Sequence, residues 1–403
     1  MFDLSAIHSP TAVAAICCAV AGLVMWAAAR PELRRFFAIV PAILILCYAP
    51  AVLGTIGVMP RSSAAYDWIA TYLLPMGLFL LVVTTDIPAI VRLGWGTIIM
   101  MLVGTFGVVV GAIVSFFTFR SILPPDAWTS FAVITGSWTG GGGNFAAVRE
   151  SVQMPDTLTG PTIVVDATIG FAWLGVVLFM ARHQNWVRRF YTPRENAAAL
   201  EHMEDPGAEA AKEPLTGEGL AIVLGVGVPA AVVCMWAGNA AFAALENSVA
   251  ASPMWNGVLS GYTLGIVLIT LAATALSFTP MRRLDRLGAT QIGYLTQYIF
   301  FASLGAQADL SSIVDMPALV LAGALWMAIH IAIMALASRI MRAPLYLPAV
   351  ASIANISGPS TAAIVGAEYN KPLAALGLLL GLLGNLIGTW AGLGVAIVLR
   401  AAG

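Results

Sequence analysis

Two stretches of the chain place oxygen-bearing side chains beside glycines inside otherwise apolar sequence. In Ala132–Val148, AVITGSWTGGGGNFAAV, the residues Ser137, Trp138, Thr139 and Asn144 flank four consecutive glycines, Gly140, Gly141, Gly142 and Gly143. In Ala349–Gly366, AVASIANISGPSTAAIVG, a second break gathers Asn355, Ser357, Gly358, Pro359, Ser360 and Thr361. Glycine costs about 1 kcal/mol in a helix interior, so four in series should unwind a helix. Unwound backbone survives in hydrocarbon only where protein buries it or where it lines a cavity. The chemistry such breaks offer is binding. Freed carbonyls, hydroxyls and amide oxygens suit a hard cation such as Na⁺, and the N–H groups of a helix N-terminus suit an anion. Ser137 to Asn144, Asn355 and Ser357 to Thr361 are therefore the candidate solute-binding residues. For each hydroxyl or amide the competing role is a helix cap or a small residue permitting close packing. Trp138 is either a wall of the pocket or an interfacial anchor.

Asp166, in Thr162-Ile163-Val164-Val165-Asp166-Ala167-Thr168, sits near the start of an apolar run. A carboxylate inside a membrane needs a partner, a cation or a proton. It is a candidate ligand for a coupling ion, together with Asn385, Thr139 and Asn355; the alternative is a carboxylate at the positive end of a helix, wet from one side. Asp86 and Asp309, with Thr85 and Gln307, lie at the ends of corresponding runs, either as site-facing turns or as solvated loop carboxylates. His330 is mid-helix, either a neutral imidazole bonded to a neighbouring helix or a proton relay. Gln297 and Tyr298 are close enough in pattern to reach the same region.

Other chemistry is thinly supported. The four histidines, His8, His183, His202 and His330, show no zinc spacing. The glycine run has no following lysine and no strand–helix unit, so it is not a nucleotide loop. A hydrolase pairing Ser137 with His330 has nothing to position it. Cys17, Cys18, Cys47 and Cys234 all lie in apolar runs without ligand spacing and read as small core residues. No metal beyond Na⁺ and no cofactor is expected.

The elements that must hold these groups are membrane helices. Of 403 residues, 60% are hydrophobic and 10% charged, against about 25% charged in ordinary globular domains. The net charge of −1 argues against nucleic acid as a partner, and the N-terminus has no basic region ahead of its apolar run, so the first run is expected to stay in the bilayer. Runs long enough to span occur at about 10–29, 36–58, 66–84, 95–119, 160–181, 219–243, 256–278, 289–306, 317–338 and 372–399. Residues 182–218 form a polar connector between an N-terminal unit, 1–181, and a C-terminal unit, 219–403. Laid on each other at an offset of about 220 residues, the halves match Asp86 with Asp309, Gly142 with Gly358, Ala146-Ala147 with Ala362-Ala363, Asp166 with Asn385 and Gly175 with Gly394.

Loop charge orients the chain. Arg30, Arg34, Arg35, the Arg182–Arg194 group, Arg282, Arg283, Arg286, Arg339 and Arg342 are all expected on the cytoplasmic side. That requires the two broken segments to re-enter from opposite faces as hairpins, which makes the repeats inverted. The alternative keeps both as full crossings and makes another run, such as the third with Pro75, the irregular one.

The motif pair GSWTGGGGNFAAV and ASIANISGPSTAAIVGA, with an intramembrane Asp after the first, resembles a family of polytopic bacterial and plastid membrane proteins catalogued as domain of unknown function 819. The resemblance covers nearly the whole chain. More distantly, the pattern is similar to sodium-coupled glutamate and hydroxycarboxylate symporters and to sodium/proton antiporters. This implies inverted repeats, a mobile core domain with two broken helices or hairpins, a dimerising scaffold and elevator-type motion. The acidic pair typical of the antiporters is missing, which favours symport.

The expectation is an all-α polytopic bundle in the inner (cytoplasmic) membrane, likened to a homodimeric secondary transporter that moves a small organic anion with Na⁺ or H⁺. A cation/proton antiporter is the first alternative; a non-transporting membrane enzyme or sensor is the second.

Overall fold

The computed structural model describes residues 9–39, 42–187, 215–250, 259–307, 317–370 and 373–402. Asp309 and most of the polar connector lie outside the described residues. The order is α1 (Pro10–Ala28), α2 (Arg34–Ile39), α3 (Ala42–Thr55), α4 (Ala64–Trp68), α5 (Leu74–Val83), α6 (Ile87–Arg92), α7 (Trp95–Phe119), α8 (Ala127–Gly140), α9 (Gly142–Ser151), α10 (Asp156–Arg182) and α11 (Gln184–Val187). The second half holds α12 (Gly217–Ala250), α13 (Gly261–Ser277), α14 (Ala289–Gln307), α15 (Pro317–Met341), α16 (Tyr346–Ile356), α17 (Pro359–Tyr369) and α18 (Leu373–Ala402).

No strand occurs among the described residues. Helices close their own backbone hydrogen bonds, which hydrocarbon demands. Seven of them, Ala64–Val83 counted as one, are long and apolar enough to cross a membrane, and α13 with the turn bent 97° behind it makes an eighth candidate. The third apolar run is a single helical path, α4 and α5 joined by a π-helical turn at Ile69–Leu73 just before Pro75. Proline lacks the N–H that an α-helix would use there, and the wider turn absorbs the fault. Of the run expected at 36–58, α2 describes the part up to Ile39 and α3 the part from Ala42 to Thr55, and residues 40 and 41 lie outside the described residues.

Both broken segments turn back on themselves. A Cβ on Gly136 would lie 2.9 Å from Val148 Cγ2 and 3.0 Å from the Asn144 carbonyl oxygen, whereas twelve residues of continuous helix would separate positions 136 and 148 by about 18 Å. So α8 and α9 form a hairpin. In the second segment Tyr369, at the end of α17, lines one groove with Leu345, Pro348 and Ala349 at the start of α16. That arrangement is a hairpin too, and the full-crossing alternative is not the geometry found.

The bases of the two hairpins lie at opposite ends of α10. Arg149 pairs with Asp156 at its first residue, N···O 2.6 Å, and Arg182, its last, pairs with Glu368 at 3.2 Å. Twenty-seven helical residues span about 40 Å, enough to cross a bilayer. The hairpins therefore enter from opposite ends and their tips meet between them.

One glycine-rich face of α18 supports both tips. Gly377 and Gly381 meet Ala362 and Pro359 of the second hairpin, and Gly384 meets the carbonyls of Thr139 and Ala354. A Cβ on Gly388 would lie 2.7 Å from Asn144 Cγ, and one on Gly392 2.7 Å from Val148 Cγ2. These positions permit backbone-to-backbone approach of the kind small residues provide in membranes. Around this unit α7, α10 and α15 pack on the hairpins, while α1, α3, α5, α12, α13 and α14 pack mainly on one another and reach the first group chiefly through α9, with smaller contacts of α14 on α10 and of α5 on α18.

Candidate functional site

At each tip the chain adopts the same uncommon conformation. Gly141 has φ 77°, ψ −171°, and Gly358 has φ 78°, ψ −171°, a region open essentially only to glycine. A Cβ on Gly141 would lie 3.7 Å from Gly358 Cα. The counterpart of Gly358 is thus Gly141, one residue before the Gly142 chosen from the alignment, because Gly142 is already the first residue of α9.

A cavity of about 400 Å³ opens beside this contact. Of the residues singled out from the sequence, Ser137, Gly140, Gly141, Gly142, Gly143, Ser357, Gly358, Pro359 and Thr361 line it, as do Asp166 and Asn385. Helices α9 and α18's neighbour α17 begin at this wall. Their first N–H groups have no acceptor within the helix, and each helix N-terminus carries roughly half a positive charge. Asp166 from α10 supplies the carboxylate, and no Lys, Arg or His is among the lining residues.

Four of the expected ligands stand behind the wall instead. Asn144 donates from Nδ2 to the Gly140 carbonyl (2.8 Å) and accepts from Thr389 Oγ1 (2.6 Å). Asn355 donates to the Ala351 and Met101 carbonyls (2.9 and 3.2 Å) and accepts from Thr105 Oγ1 (2.8 Å). Both amides are spent on fastening the tips: Asn144 satisfies the carbonyl at the end of α8, and Asn355 ties the second hairpin to α7. Trp138 is fully buried, its ring 4.9 Å from that of Trp326, which stacks on Phe131 at 5.4 Å. It does not line the cavity, and its indole lies against α10, where a Cβ on Gly170 would be 3.8 Å from Nε1; full burial excludes an interfacial anchor. Thr139 is fully buried and its hydroxyl has no hydrogen-bond partner among the described residues. The side chain of Ser360 lies outside the described residues.

Helix α14 contributes Tyr294, Gln297 and Tyr298 to the cavity. Gln297 presses against Gly143, where a Cβ would collide with its side-chain amide. Tyr294 was missed in the sequence. The signal was present: Thr290, Gln291, Tyr294, Thr296, Gln297 and Tyr298 make this run too polar for a helix facing lipid.

The remaining candidates lie elsewhere. Asp86 caps α6 through the Ala89 N–H (3.0 Å) and pairs with Arg282 at 3.1 Å, both partly exposed. Thr85 bonds to the Leu81 carbonyl and Gln307 to that of Ser303. His330 is fully buried, with Nδ1 3.1 Å from the Gly104 carbonyl and Nε2 2.8 Å from Ser352 Oγ, which also accepts from Trp173 Nε1 at 2.9 Å. Both imidazole nitrogens are engaged, so His330 forms no pair with Ser137. The four cysteines are unpaired, and Cys47 lines the cavity.

The chain is similar over 378 residues, at 28% identity, to the uncharacterised membrane protein YjcL of Bacillus subtilis (strain 168), a match covering 92% of this chain and 93% of that protein. The family model described as "Protein of unknown function (DUF819)" matches residues 14–402. With an all-helical multi-pass architecture and both broken segments inside that match, the chain is an integral membrane protein belonging to the DUF819 family.

Proposed function

We propose that the protein is a secondary active transporter of a small organic anion, coupled to a cation, Na⁺ or H⁺, with the cavity between the hairpin tips as its binding site. The single observation that carries this reading is the convergence of two helix N-termini and one partly buried carboxylate on a cavity of about 400 Å³. The N–H groups at the starts of α9 and α17 hold the anionic group, and Asp166, with Asn385 beside it, holds the positive charge that travels with it. Hairpins entering from opposite ends are also what inverted repeats produce. On this reading the hairpins, α7, α10, α15 and α18 form the mobile core, and the remaining long helices form the scaffold of a homodimer in the inner (cytoplasmic) membrane. Neither a cofactor nor a nucleic-acid partner enters the mechanism.

Uptake into proteoliposomes under an imposed Na⁺ or pH gradient tests this directly, with a panel of radiolabelled mono- and dicarboxylates as probes. Wild type should accumulate at least one of them in a gradient-dependent way, and Asp166→Asn should lose that dependence. Gradient-driven Na⁺/H⁺ exchange without any solute would instead identify an antiporter, and unaltered coupling in Asp166→Asn would remove Asp166 from the mechanism.

A further inference from the structure

We propose that a second cavity, between α10, α15 and the second hairpin, holds one acyl chain of an anionic phospholipid whose headgroup rests on Arg339. This cavity encloses about 180 Å³ and does not depend on the transport reading. Its walls are Trp173, Val177 and Met180 from α10, Ile331 and Met334 from α15, and Pro348 from α16. Ser352, a polar member of the wall, already has both His330 and Trp173 as partners. The surface left to a guest is apolar. Ala335 and Arg339 also line the groove and are exposed, so it opens on the outside of the bundle rather than into the protein. For a helical bundle in a bilayer, that outside is lipid, and an apolar groove there gains dispersion contacts only when a chain enters it.

The charge at the mouth selects the lipid. Arg339, in the last turn of α15, makes no ion pair among the described residues. Arg342 follows just beyond the end of α15, and Arg182 at the end of α10 already pairs with Glu368. Arg339 is the one charged side chain among the described residues lining the groove, and an unpaired cation there favours an anionic over a zwitterionic headgroup. The groove touches both ends of the second hairpin, Leu345, Pro348 and Ala349 where it enters and Tyr369 where it returns. A chain lodged there wedges the hairpin base against α10 and α15, so lipid composition sets how firmly that half of the tip contact is held.

Tryptophan fluorescence of the full-length protein in nanodiscs tests the proposal. The probes are phosphatidylcholine and phosphatidylglycerol, each with brominated acyl chains, and the quenched component belonging to Trp173 is taken as the difference between wild type and Trp173→Phe. Brominated phosphatidylglycerol should quench it about fivefold more effectively than brominated phosphatidylcholine. Arg339→Gln should remove the preference, and Ala349→Phe, which fills the groove, should remove the quenching. Equal quenching by both lipids, unchanged by Arg339→Gln, would overturn the headgroup assignment. Absence of quenching would overturn the acyl chain and leave residues 188–214 or a second copy as the cover. Because Trp173→Phe also removes a hydrogen bond, native mass spectrometry supplies a separate reading. Phosphatidylglycerol retained by wild type should fall about fivefold in Arg339→Gln, and equal retention would count against the site.

Discussion

Gly141 and Gly358, one in each half of the chain, share a backbone conformation and stand so close that a Cβ on the former would lie 3.7 Å from the latter's Cα. Space is not what forbids a side chain there. The strain is in the backbone, which no L-residue adopts cheaply. Gly141→Ala and Gly358→Ala should each lower stability by about 1–3 kcal/mol, seen as a lower thermal midpoint in detergent, and both should reduce solute binding. A midpoint equal to wild type in either variant would show that the tip can re-form with ordinary dihedrals.

The hydrogen bond from Thr389 to Asn144 joins α18 to the first tip from a buried position. A double-mutant cycle with Asn144→Ala and Thr389→Val should give a coupling energy of about 0.5–3 kcal/mol. Additive losses would mean that the tip is held by the glycine contacts alone.

Ser352→Ala should be more damaging than its size suggests. It leaves the fully buried His330 Nε2 and the partly buried Trp173 Nε1 without their partner, at about 1–3 kcal/mol for a buried unsatisfied group. Ser352→Thr keeps the hydroxyl and should recover part of the loss. A Ser352→Ala variant as stable as wild type would show that the surroundings rearrange to satisfy both rings.

The hairpin bases at opposite ends of α10 predict opposite accessibility. In a background lacking Cys17, Cys18, Cys47 and Cys234, Ser121→Cys beside the first base and Asn185→Cys beyond Arg182 should react with a membrane-impermeant thiol reagent from different sides. By the distribution of arginines, Asn185→Cys should be the cytoplasmic one. Labelling of both from one side would contradict hairpins that meet from opposite faces.

Sequence patterns located the breaks because glycine and proline act locally: Gly141, Gly358 and Pro359 announce their turns without reference to the rest of the fold. Asp166 and Asn385 stood out for a similar reason, as polar residues in apolar runs, and the structure brings both to one cavity. Asn144 and Asn355 stood out equally and are placed differently. Whether an amide faces a cavity or a neighbouring carbonyl depends on Thr389 and Thr105, which lie far away in the chain and carry no mark of the pairing. Tyr294 went unnoticed because the polar residues around it mark the whole run as facing protein without marking which of them faces the cavity. The single-residue slip between Gly142 and Gly141 has a local cause as well: four identical glycines give an alignment no landmark.

The glycine face of α18 touches both hairpins along one uninterrupted helix. Because each tip is referenced to that same rod, neither half of the binding wall has an independent foundation. On the transport reading proposed above, tilting or sliding α18 would carry floor and ceiling of the cavity in step, relocating the compartment whole rather than prying it apart from one edge.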